Sequence, residues 1–147
     1  MTAPRLAPLL SSLLAAALAA LAPAQTIDLD NLPNYANQPR PAYITKDNTT
    51  AGNAITDAGA SLGRVLFYDK KLSVTNSISC ASCHQQAKGF ADPAVASTGV
   101  NGTTGRHSMR LINVRFGTDT RMFWDERAAT VEAQATQPIR DHAEMGW

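Results

Sequence analysis

The sequence predicts an all-α fold with long irregular loops. The clearest apolar period in the chain is helical, and no segment alternates polar and apolar residues as a half-buried strand does. The stretch GFADPAVASTGVNGTTG, Gly89 to Gly105, holds four Gly and one Pro among small polar residues. It reads as a loop, and loops of that length in compact domains are often functional.

The elements follow in chain order. Arg5 is a short positive start, Leu6 to Ala24 carries no charge, and Ala22-Pro23-Ala24 is a small-residue cleavage signal before Gln25. Residues 1–24 read as a secretory signal peptide. Broken by Pro8 and Pro23, the run makes a poor membrane span. Arg5 is its only charge, so the mature chain has 12 basic and 12 acidic residues. That balance gives no electrostatic footprint for nucleic acid or a membrane surface. Residues 25–53, rich in Asn, Pro and Thr without hydrophobic period, read as an extended arm. From Ile55 to Tyr68, Ala58, Leu62, Val65 and Leu66 fall at i, i+4, i+7 and i+8, one face of a helix. Thr56 or Asp57 can cap it, while Gly59 and Gly63 fit a helix poorly unless a flat surface packs against them. A short helix is expected from about Ser77 to Gln86 and a turn of helix over Ser108–Arg115. A further helix is expected over Ala128–Gln137, with Val131 and Ala135 inward and Pro138 stopping it. Aromatics are 6% of the chain, so few large side chains are available for a core. A large apolar prosthetic group would help fill it.

The only cysteines lie in SISCASCHQQAKGFAD, Ser77 to Asp92. A pair separated by two residues is a poor structural staple, because the loop it closes constrains little unfolded-chain entropy. A zinc site needs four ligands, and Cys80, Cys83 and His84 supply three at most. A thioredoxin-like redox pair wants a βαβ setting, which is absent. Covalent haem attachment suits every residue. Positions three apart share a helix face, so Cys80 and Cys83 reach the two vinyl groups on one porphyrin edge, and His84 turns its ring to the iron. C-x-x-C-H is the direct signature of c-type haem, with His84 as metal ligand. The other axial position decides function: Met or His there makes an electron carrier, an open position admits peroxide. Met109, Met122, Met145, His107 and His142 follow the motif, and composition leaves the choice open.

Five segments occur in order: LGRVLFYDKKLS (Leu62–Ser73), the haem segment, GRHSMRLINVRF (Gly105–Phe116), FWDERAATVEAQATQPI (Phe123–Ile139) and EMG (Glu144–Gly146). Together they resemble the N-terminal peroxidatic haem domain of bacterial di-haem cytochrome c peroxidases, including the MauG-like branch. The resemblance implies a cytochrome c-like haem domain over residues 54–147, in the periplasm. It implies reduction of hydrogen peroxide with electrons from a second haem or from a small cytochrome or cupredoxin. Trp124 matches a Trp that relays electrons between two haems, and Gln134, Pro138 and Glu144 match residues on the peroxide side. A carboxylate there can move a proton between the two peroxide oxygens if its surroundings tune its proton affinity, and Gln134 can hydrogen-bond them. Six of the eight mature arginines fall between Arg106 and Arg140. Arg106 and Arg127 are the candidates to pair haem propionates through their planar forks.

The chain departs from the resemblance in four places. Gly99-Val100-Asn101 stands where many relatives have a Gly-His-Gly whose His caps the resting iron, so an open iron is expected, with His107 as a minor alternative cap. His107 stands where an Asn helps bind an interdomain calcium. His is a poor calcium ligand, so calcium is doubtful. Glu126 replaces the usual Gly of Trp-Asp-Gly-Arg. One C-x-x-C-H is present where the family has two haem domains, so the chain is expected to be a fragment or to take its second haem from a partner. The alternatives are MauG-like oxidation of a protein substrate, or a single-haem electron carrier with Met122 or Met145 as sixth ligand.

Overall fold

Thr56 starts the longest helix among the described residues. Its backbone is extended and its Oγ1 accepts the Gly59 N–H at 3.0 Å, satisfying one of the amides that a helix N-terminus leaves without a partner. Helix α1 runs Asp57–Tyr68. Asp57 sits in the first turn, where the helix dipole favours an anion, and its carboxylate also accepts the N–H groups of Tyr35 and Ala36 at 2.6 and 2.8 Å. The computed structural model describes residues 27–118 and 120–147, so the signal peptide expected over 1–24 lies outside the described residues. Leu32–Trp147 form one compact unit, and residues 27–56 carry neither helix nor strand.

The face of α1 differs from expectation. Leu62, Val65 and Leu66 are 59%, 41% and 40% exposed, and Ser61 is the buried residue of the helix. Phe67 faces inward enough to meet Phe90 edge-on, ring centroids 6.0 Å apart. The period thus marks an apolar stripe, but the described chain turns the opposite side of the helix to its own interior.

Buried Ser73 organises the approach to the cysteines. Its hydroxyl donates to the Lys70 carbonyl at 2.9 Å and accepts the N–H groups of Ser77 and Ile78 at 3.2 and 3.1 Å. Helix α2 is only Cys80–Cys83, begun by buried Ser79, whose N–H donates to Ser82 Oγ at 3.0 Å. The chain then folds back: Gln85 N–H donates to the Ala91 carbonyl at 3.1 Å, and Phe90 N–H to the Gln85 carbonyl at 2.9 Å. The helix expected over Ser77–Gln86 is therefore one turn of α-helix plus a 3₁₀ turn at Gln86–Lys88.

The expectation of an all-α fold is corrected by the Gly-rich loop. Strands β1 (Thr98–Gly99) and β2 (Gly102–Thr103) pair antiparallel around Val100-Asn101. Two residues per strand are too few to show an alternation in sequence, yet Thr and Gly on either side of a two-residue turn suit a hairpin. Around this hairpin the structure has one helix of three turns, short helical turns and much irregular chain, so it is not plainly all-α. The turn expected over Ser108–Arg115 is a 3₁₀ turn at Val114–Phe116. The helix expected over Ala128–Gln137 is two: α3 (Val131–Ala135), capped by Thr130 Oγ1 accepting the Ala133 N–H at 3.1 Å, and α4 (Gln137–Arg140). Pro138 sits in the first turn of α4, where its missing N–H costs nothing, so it starts a helix instead of ending one. Ala135 is exposed, and Ala128 lies before the helix, bridged to Met122 and buried.

Among the described residues the buried hydrophobic ones are Ala91, Ala128 and Met145, joined by Ser61, Ser73, Ser79 and Ser97. Small side chains thus dominate the interior, as the aromatic content suggested. The arm is pinned at Asp47, which takes a two-point fork from Arg115 and a third contact from Arg40 at 3.3 Å. Next to it the Asn48 N–H donates to the Arg115 carbonyl at 2.8 Å. Among the described residues no helix is long and apolar enough to cross a membrane.

Candidate functional site

A cavity of about 500 Å³ lies against the haem motif, lined by residues from His84, 104–127, Val131 and the segment Gln134–Glu144. That volume is in the range of small-molecule and cofactor sites. Seven of the nine site residues read from sequence line it: His84, Arg106, Trp124, Arg127, Gln134, Pro138 and Glu144. Cys80 and Cys83 stand on α2 directly before His84, half-buried and free of any disulfide.

His84 is oriented by the fold-back that follows it. Its Nδ1 lies 3.0 Å from the carbonyl oxygen of Phe90. A carbonyl can only accept, so Nδ1 carries the hydrogen, and Nε2 is the nitrogen left with a lone pair for a metal. Fixing the second ring nitrogen in this way sets tautomer and ring direction. Phe90 adopts φ 56° to offer that carbonyl. Burial pushes both cysteine thiols up from their ordinary range. A redox-active or zinc-binding pair wants stabilised thiolates, so this environment suits sulfurs that end in neutral thioethers better.

Glu144 is presented by a tight turn. Asp141 Oδ1 accepts the N–H groups of Ala143 and Glu144 at 2.9 and 3.1 Å. The hairpin holds the other side: Val100 N–H donates to the Glu144 carbonyl at 3.0 Å, Asn101 N–H to Ala143 at 3.3 Å, and Asn101 Nδ2 to His142 at 2.8 Å. Gly99 makes this approach possible, because a Cβ there would stand 1.9 Å from the Ala143 carbonyl oxygen. Burial first, and then the Asp141 charge, push the Glu144 carboxyl up from its ordinary value, against the pull of Arg127. A carboxyl so placed can hold a proton and release it nearer neutral pH.

The two arginines converge on one carboxylate. Arg127 Nη1 donates to both oxygens of Asp125 at 2.9 and 3.1 Å, and Arg106 Nη1 lies 3.2 Å from Asp125. Arg127 also donates to Gln137 at 3.0 Å and lies 3.4 Å above the Phe123 ring. This cation–π contact and the Asp125 partnership were not read from sequence. Trp124 is 59% exposed, its indole N–H donating to the His107 carbonyl at 2.8 Å. His107 lines the cavity while its Nδ1 lies 2.8 Å from the Ala94 carbonyl. Met109 and Met122 line the cavity, whereas Met145 is buried and does not. Val100 is also outside the lining; its Cγ2 would meet a Cβ placed on Gly146 at 2.8 Å. Glu126 has φ 56°, in the left-handed region where Gly is at ease, which gives a physical meaning to the Gly it replaces.

The residues fit a haem. A ligand-sized cavity in a fold with few large buried side chains has an imidazole nitrogen free to ligate a metal on one wall and two adjacent thiols beside it. Arginines and a protonatable carboxyl supply the polar lining.

The family model described as di-haem cytochrome c peroxidase matches residues 57–147. The chain belongs to this family. It is 36% identical over 94 residues to the methylamine utilization protein MauG of Methylorubrum extorquens, covering 63% of this chain and 26% of that protein. It is 34% identical over 109 residues to the cytochrome c551 peroxidase of Pseudomonas aeruginosa, covering 74% and 30%. The crystal structure of a MauG-like protein associated with microbial copper homeostasis matches with TM-score 0.67 and 32% identity over 75% of this chain and 35% of that one. The chain therefore spans about a third or less of the relatives it matches. Haem is the cofactor of the di-haem peroxidase family, and the relatives named cytochrome c peroxidases are oxidoreductases.

Proposed function

We propose that the chain is the peroxidatic haem domain of an exported enzyme that reduces hydrogen peroxide in the periplasm. One observation carries the reading: His84, Trp124, Gln134 and Glu144, drawn from three separate segments, line a single cavity. Cys80 and Cys83 would hold the haem through thioethers, and His84 Nε2 would ligate its iron. Bound there, haem would supply the redox chemistry for the two-electron reduction of hydrogen peroxide and two protons to two waters.

The remaining work falls to the chain. Glu144 takes the proton from one peroxide oxygen and returns it to the other, the leaving one. The Gln134 amide, with both donor and acceptor atoms, orients the oxygens. Pro138 shapes the wall and supports the turn, its carbonyl accepting the Met145 N–H at 3.2 Å. Arg106 and Arg127 neutralise propionates beside Asp125. Trp124 is the route by which electrons arrive from a second haem domain, or from a cytochrome or cupredoxin.

The test is the single reaction of the haem-loaded chain with peroxide, followed by stopped-flow absorbance. Glu144→Gln keeps the shape and removes the base, so the rate falls about 10²- to 10⁴-fold, the usual worth of a positioned acid–base group, with haem content unchanged. An unchanged rate would refute the assignment. The exposure of Trp124 also favours a second reading, oxidation of a protein side chain docked at that edge. It predicts that Trp124→Phe abolishes radical formation on such a partner while the reaction with peroxide persists.

A further inference from the structure

We propose that Asp141 is a positioning residue for Glu144, building the turn that presents it and setting, by its own charge, the pH at which Glu144 gives up its proton. The inference rests on the acid–base reading of Glu144 and adds the group that controls it. Asp141 lines the same cavity, three residues earlier in the chain. One of its carboxylate oxygens receives the N–H groups of both Ala143 and Glu144. Its main-chain carbonyl accepts the N–H groups of Met145 and Gly146 at 3.2 and 2.9 Å. Four successive amides thus turn about one residue, and Glu144 is held at their middle.

The second part of the role is electrostatic. The hairpin packed on Glu144 offers only backbone groups and the Asn101 amide, with no titratable side chain. The charged or titratable neighbours felt at Glu144 are Asp141 on its own turn, Arg127 across the cavity and the Cys83 thiol on α2. Arg127 is already committed to Asp125 and Gln137. Among the described residues Asp141 is therefore the nearby negative charge that forms no ion pair, and a like charge favours the protonated form of its neighbour. Asp141 itself is exposed, so its effect is screened but not abolished.

Fluoride binding to the haem-loaded ferric chain reads this without turnover. Fluoride enters as the anion with a proton taken up by a nearby base, so affinity falls as pH rises past the titration of that base. Asp141→Asn retains an oxygen acceptor for the two amides and removes the charge. The midpoint of the pH profile should move down by about half a unit, the size of one screened like charge, with haem content and Tm unchanged. Asp141→Glu keeps the charge and should leave the midpoint near wild type. Asp141→Ala loses cap and charge together and should lower both Tm and midpoint. A midpoint unmoved in Asp141→Asn, while Glu144→Gln flattens the profile, overturns the role of Asp141 and leaves Glu144 standing. A profile that persists in Glu144→Gln overturns the acid–base reading, and this inference with it.

Discussion

Replacing Gly99 by alanine attacks the contact that places Glu144. The new Cβ would stand 1.9 Å from the Ala143 carbonyl oxygen, 2.8 Å from its carbon and 2.9 Å from the Glu144 Cα. All three are backbone atoms, so no rotamer change relieves the clash. The hairpin must lift away from residues 142–144, putting at risk its three hydrogen bonds to their carbonyls. At about 1 kcal/mol net each, the ceiling is about 3 kcal/mol, and overpacking measured elsewhere costs about 1–3 kcal/mol. A loss of about 2–3 kcal/mol is expected, roughly a 10 °C fall in Tm for a domain of this size. Gly105→Ala is the control, since a Cβ there meets nothing within 4 Å and its φ is not left-handed. That variant should match wild type or gain a few tenths of a kcal/mol from a stiffer unfolded chain. Thermal unfolding by circular dichroism measures both. In the haem-loaded chain Gly99→Ala should also slow the reaction with peroxide, because Glu144 shifts with the turn. A Gly99→Ala protein that melts with Gly105→Ala would show that the hairpin does not hold the Glu144 segment.

Other substitutions probe the scaffold. Glu126→Gly removes a left-handed strain of about 1–2 kcal/mol and gives back part of it as unfolded-chain entropy, so urea unfolding should show a net gain of about 0.5–1 kcal/mol; a loss would mean the Glu126 side chain does more than tolerate its φ of 56°. Ser61→Ala removes a buried hydroxyl that has no hydrogen-bond partner among the described residues from a helix that prefers Ala, and should raise Tm by a few degrees. Asp47, held well below the usual carboxylate range chiefly by the Arg115 fork, contributes stability that is fully present above the unfolded value of about 3.9. This contribution is lost as pH falls toward the lower folded value. The Tm gap between wild type and Asp47→Ala should therefore be constant from pH 7 to 5, narrow in stronger acid, and shrink in high salt.

Capping and helical period translated, while other local signals and the long-range ones did not. Thr56 or Asp57 as cap and Tyr68 as the end of α1 could be read because capping and period are local, and the structure makes Thr56 the cap. The apolar stripe Leu62-Val65-Leu66 named a face but not what lies on it, and in the described chain that face meets solvent. The hairpin was missed because its strands are two residues long, and Pro138 was misread because one residue can end one helix or begin another. The candidate site residues were proposed from ordered motifs, and seven of the nine line one cavity. Their supporting contacts were not: the Phe90 carbonyl on His84, the Asp125 bridge between Arg106 and Arg127, and the Asp141 cap of Glu144. Two of these run through backbone atoms, which carry no sequence signature, and nothing local in the sequence marks Asp125 or Asp141; the fold sets Asp141 in the cavity wall and Asp125 between two arginines that line it.

The absorption spectrum of the haem-loaded ferric chain, recorded before and within seconds of adding peroxide, tests the central claim most directly. A haem that stays attached on denaturation, high-spin at rest and changed by peroxide, is the predicted result. A low-spin His/Met spectrum indifferent to peroxide would contradict it.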